Sequence, residues 1–144
     1  MSYQLVLEPT DRAFYDTIRE GTLPPDEFKY VTAVRAAWTV IAHAPSLAEG
    51  IEGAVKLLRY YKVKTNTYHT CNDTWTKFYV WVVAWSCLQC DAEWGEFWAW
   101  FSSRFPQEVW EEYYSTGRWN GQAARGMFLP PDRRHLPRIE GVEL

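Results

Sequence analysis

The chain has 144 residues, near the commonest domain size and long enough to bury a core without disulfide staples. Apolar residues at 47% and charged residues at 23% exclude the disordered class, and three cysteines, an odd number, exclude a secreted disulfide framework. A net charge of −3 argues against a protein whose whole surface binds nucleic acid.

Residues 1–9 read as an extended segment with Leu5 and Leu7 on one side. They show no basic n-region and no cleavable apolar stretch, so a soluble chain made inside a cell is expected. Thr10 is a candidate cap for a first helix running to Glu20, with Asp11 in its first turn and Gly21 as its stop. After TLPP, a second helix is predicted over Pro25–Ala44, with Val31, Val34, Trp38 and Ile41 on its apolar stripe. Pro45 ends it. Ser46 and Glu49 form a capping box for a third helix to about Val63.

A polar connection, KTNTYHTCN, leads to one long predicted helix from Asn72 or Asp73 to about Phe105. Pro106 opens a fifth helix, PQEVWEEYYST, ended by Gly117. The remaining tract, 117–144, holds four glycines, three prolines and little periodicity, and reads as an arm. The expected fold is therefore all-α, a four- to five-helix bundle with an extended N-terminal segment and an irregular C-terminal arm. The expected division is a helical domain over 1–116 and an arm over 117–144. The longest apolar run, residues 78–88, is about half of a membrane span.

Aromatic residues make up 17% of the chain, about twice the ordinary share. They crowd the fourth helix, where Trp81 and Trp85 share one face and Trp94, Trp98 and Phe101 share the opposite one. A helix apolar all round must be covered all round. Either it lies at the centre of its own bundle, or its second aromatic face meets another subunit. The second reading is favoured, because exposed patches of that size invite aggregation. The expected subunit contacts are Trp81, Trp85, Trp94, Trp98 and Phe101, with Trp119 from the arm.

The same helix carries Cys87-x-x-Cys90, and His69-x-Cys71 precedes it. Four ligands for zinc exist on paper, but a structural site places its CxxC on a tight turn, and a redox pair wants a helix N-terminus. Here the pair reads as mid-helix, so buried thiols are expected, with no metal and no cofactor. Glu108, Glu111 and Glu112 line the fifth helix, where acids near the positive end suit the helix dipole better than a carboxylate pair for acid–base work. His43 sits near a helix end and His135 among arginines, and neither joins a nucleophile or carboxylate constellation. With no GxSxG, phosphate loop or HExxH, the chain is not expected to be an enzyme or to take a small-molecule substrate.

Charge is unevenly spread. Residues 1–50 carry four bases and seven acids, 51–80 five and two, 81–116 one and six, and 117–144 five and three. In the basic stretch, Lys56, Arg59 and Lys62 are spaced three apart and are expected to share one helical face, Tyr60 and Tyr61 interleave, and Lys64 extends the stripe. Lys29 and Arg35 of the second helix can lengthen it. The spacing suits a phosphate backbone, and it also suits a plain solvated helix face.

The helical plan over 10–116, the cationic helix 46–63 and the arm 117–144 together resemble the major capsid proteins of filamentous and rod-shaped archaeal viruses with linear double-stranded DNA. The resemblance is nearest to the branch with two paralogous capsid proteins and an enveloped virion. It implies a structural protein, made in the host cytoplasm, that pairs with copies of itself and with a paralogous capsid protein. Lys56, Arg59, Lys62, Lys64 and Arg35 would neutralise phosphates without reading bases. The tryptophan faces would bury the dimer seam, and the arm would cross a neighbour. The acidic net charge departs from that pattern, and a more basic paralogue would compensate. The rival is a small helical module, virus-encoded or regulatory, that lays an aromatic face on a protein target.

Overall fold

The computed structural model describes residues 3–144 and is all-helical among them. The chain forms two compact units, the first ending at Cys71 and the second spanning Asn72–Leu144. The tract 117–144 belongs to the second of these.

In the first unit, α1 spans Pro9–Arg19, with Pro9 at its first turn and Glu8 rather than Thr10 at the cap position. It buries Tyr15 and Ile18. Gly21 ends it as expected, at φ +70°, a left-handed conformation open to glycine. A Cβ there would also lie 2.6 Å from Lys64 Cβ.

Helix α2, Tyr30–His43, begins five residues later than predicted, after a 3-10 turn at Pro25–Glu27. The Thr32 hydroxyl accepts the Lys29 N–H (3.2 Å) and donates to the Glu27 carbonyl (3.2 Å), so the cap forms here instead. The extended Phe28 thereby stacks on Tyr61, centroids 4.6 Å apart. Of the predicted stripe, Val34, Trp38 and Ile41 are buried and Val31 is exposed.

Helix α3, Leu47–Lys64, carries the predicted cap: Ser46 Oγ accepts the Glu49 N–H at 3.2 Å. Gly50 lets α3 lie close against α2, since a Cβ there would sit 2.9 Å from Ile41 Cα.

In the second unit the predicted long helix is two, α4 at Asp73–Gln89 and α5 at Trp94–Arg104. Cys90 turns extended (φ −137°), and α5 folds back so that Trp85 meets Trp100 and Phe105. Neither glycine nor proline marks this break, so periodicity runs through it unnoticed. The predicted fifth helix is a 3-10 segment, Gln107–Glu112, and Gly117 lies inside α6, Thr116–Asn120, which α7, Gln122–Gly126, follows.

Positions 80–84 of α4 are all buried, as an all-apolar helix requires. Much of the cover comes from residues downstream in its own unit. Phe78 packs edge-on against Tyr113, Tyr114 and Trp119. Trp119 is sandwiched between Trp75 (5.5 Å) and Trp110 (5.1 Å), a stack of three indoles.

The C-terminal tract is irregular beyond α7 but docked on its own unit rather than extended away from it. Its carbonyls are taken by side-chain donors: Trp81 Nε1 donates to Pro137 (2.7 Å), the Tyr114 hydroxyl to Leu129 (2.7 Å) and Arg118 Nε to Pro130 (2.6 Å). The buried Thr74 hydroxyl donates to the Met127 carbonyl and accepts the Leu129 N–H, each at 3.0 Å. Asp132 receives both the N–H and the hydroxyl of Ser115. Prolines and glycines remove helical periodicity, yet they leave these carbonyls available to neighbours.

Candidate nucleic-acid interface

The cationic residues of α3 do not share one face. Successive helical residues turn by about 100°, so Lys56 and Lys62 point about 120° apart, whereas Lys56, Tyr60 and Lys64 follow one another at i, i+4. Lys56 is exposed and pairs with Glu52 at 2.7 Å. Lys64 is exposed and its ammonium lies 5.4 Å from the Tyr60 ring centre. Tyr60 is 48% exposed and Val63 57%, so the ridge presents cations with aromatic and aliphatic surface between them. Glu49 and Glu52 occupy its N-terminal half.

The other predicted cations are placed differently. Lys62 is half-buried, donates to the Thr70 hydroxyl at 2.9 Å and lies over the Phe28 ring. Burial pushes its pKa down, only partly opposed by Cys71. Arg35 faces α1, 3.9 Å from the Asp11 carboxylate and 4.4 Å from the Phe14 ring centre, which makes it part of the unit's packing. Arg59 is half-buried, and Lys29 is exposed at the start of α2.

The predicted aromatic contacts divide in two. Trp81, Phe101 and Trp119 are buried within the chain itself. Trp85, Trp94 and Trp98 are half-exposed, and Trp94 stacks on Trp98 at 5.6 Å. Trp75 is 38% exposed on one side of the indole stack, and sequence reasoning missed it because its neighbours Thr74 and Thr76 are polar.

Cys87 lies in the last turn of α4 and Cys90 is its C-cap, so the pair ends a helix rather than sitting within one. Burial pushes the Cys87 thiol up to about 12, with Cys90 and the Asp91 carboxylate adding to the rise. Among the described residues the cysteines form no disulfide, and no three His, Cys, Asp or Glu side chains gather as a metal site needs. No helix among them is long and apolar enough to cross a membrane. No protein-family model, curated protein or solved structure matches the chain.

Proposed function

We propose that the chain is a structural coat protein that multimerises around double-stranded DNA in a helical virion, as the capsid resemblance implies. The observation that carries this reading is the exposed ridge Lys56–Tyr60–Lys64 on an 18-residue helix. Lysines act as point charges on phosphates, and a tyrosine hydroxyl adds a donor, so such a ridge holds a backbone without selecting bases. Lys29 joins this set, whereas Arg35 and Lys62 serve the unit's own packing. In this reading the helices act as a bundle, and half-exposed Trp85, Trp94 and Trp98 supply contacts between subunits. A paralogue of higher positive charge offsets the net −3. The docked C-terminal tract is not needed as a strap.

A second reading, a protein-binding module, draws on one observation: the stacked Trp94–Trp98 pair on α5. Titration of duplexes of unrelated sequence against increasing salt separates the two. The coat reading expects equal affinities on all sequences and a steep salt slope, reduced by about one unit in each of K56A and K64A. Binding that ignores both substitutions, or that selects a sequence, overturns it. A chain with no affinity for DNA, alone or with a basic partner subunit, favours the module.

A further inference from the structure

The exposed i, i+4 ridge Glu52–Lys56–Tyr60–Lys64 winds by about 120° around α3 and is acidic at one end and basic at the other. Glu49 and Glu52 lie toward its N-terminus, Lys56 and Lys64 toward its C-terminus, and Tyr60 and Val63 stand exposed between the cations. A face ordered in this way repels a parallel copy, because acids meet acids and lysines meet lysines. An antiparallel copy instead sets the acidic end of each ridge against the basic end of the other, and the two helix dipoles then also oppose favourably.

We infer that this ridge of α3 packs antiparallel along the same ridge of a second copy of this chain, with α3 crossing its counterpart at an angle that follows the ridge and a two-fold axis between Lys56 and Tyr60. That register sets Glu52 against Lys64 of the other copy and Lys56 against its Tyr60, and symmetry makes each contact twice. Glu52 then lies between its own Lys56 and a foreign Lys64, which joins two ion pairs into a network. The Tyr60 ring, already beneath Lys64, gains a second cation at its other face. Val63 supplies apolar surface at the seam. The contact is isologous and closed, so it yields a dimer and not a filament. It goes beyond the coating role and does not depend on it. Where both hold, the pairing covers the same lysines that meet phosphate, so dimer and duplex compete for one ridge.

Sedimentation of the full chain at low salt tests the pairing, with circular dichroism verifying that each surface variant stays folded. The parent chain is expected as a dimer that dissociates as salt rises. E52K and K64E each replace two attractions by two repulsions and are expected to weaken association about tenfold or more. The exchange E52K/K64E restores opposite charges across the seam and is expected to restore the dimer. A monomeric parent, a dimer indifferent to either single change, or an exchange that fails to rescue overturns the inference. Duplex binding separates it from the coating role: E52K removes an acid from the ridge, so it is expected to lose the dimer yet bind DNA more tightly. A rescued dimer with no DNA binding by the parent retains the pairing and rejects the coat.

Discussion

Thr74 is the residue on which the docked C-terminal tract can be tested most sharply. Its hydroxyl is fully buried on α4 and serves two backbone groups more than fifty residues away, donating to the Met127 carbonyl and accepting the Leu129 N–H. Thr74→Val keeps the shape and removes both bonds. An orphaned buried polar group costs about 1–3 kcal/mol. Leu129 is half-buried, so its N–H bears more of that than the carbonyl of Met127, which is 58% exposed and open to water. The expected loss is therefore about 1–3 kcal/mol, a large part of a domain's usual 5–15 kcal/mol. Thr74→Ser keeps the hydroxyl and loses one methyl group, for about 1 kcal/mol. Urea unfolding followed by tryptophan fluorescence reads the right unit, because Trp38 is the only one of the nine tryptophans before Asn72. Amide exchange at Leu129 reads the bond itself, and its protection should fall in the valine variant and persist in the serine variant. A valine variant within about 0.5 kcal/mol of the parent, with Leu129 still protected, refutes the docked arrangement.

Glycine substitutions are expected to diverge by site. Gly50→Ala drives a Cβ against Ile41 Cα at 2.9 Å and should destabilise the first unit by about 1–3 kcal/mol, whereas Gly95→Ala meets nothing within 4 Å and should stabilise α5 by up to about 1 kcal/mol. Thermal melts of both variants check this, and a stabilising Gly50→Ala would show that α2 and α3 are not so closely packed. Cys87 should resist alkylation in the folded chain, because moving its pKa from 9.0 to about 12 cuts the thiolate population about a thousandfold. Peptide mapping after iodoacetamide, with and without urea, measures that protection. The pH dependence has a fixed sign: the contribution is intact below 9.0 and is lost as pH rises toward 12, since only the unfolded chain releases the proton in that window.

Helix-forming signals were legible where they are local. The Ser46–Glu49 cap, the Gly21 stop and the apolar positions Val34, Trp38 and Ile41 follow from spacing alone, and each is found in place. The start of α2 was not legible, because Thr32 competes with Pro25 for the cap and Tyr61 draws Phe28 out of the helix. The turn at Cys90 has no glycine or proline to announce it. The tract after Gly126 looked like an arm because its partners, Thr74, Trp81 and Tyr114, are distant in sequence. Within the candidate interface, the lysine-rich tract was visible by composition. Which lysines share a face depended on the 100° turn, and the diversion of Arg35 to Asp11 depended on α1 lying beside α2.

The sandwiching of α4 by later residues also orders events during synthesis. Trp81 finds its hydrogen-bond acceptor in Pro137, 56 residues downstream, and Phe78 waits for Tyr113, Tyr114 and Trp119. At typical translation rates that is a gap of about 3–11 s during which an indole-rich helix stands without that cover on the nascent chain. The first unit has no such delay, since its helices contact one another as soon as α3 is complete. Slowing translation after α4 should therefore increase chaperone capture and aggregation of the nascent chain, whereas a pause before Asn72 should leave the yield unchanged.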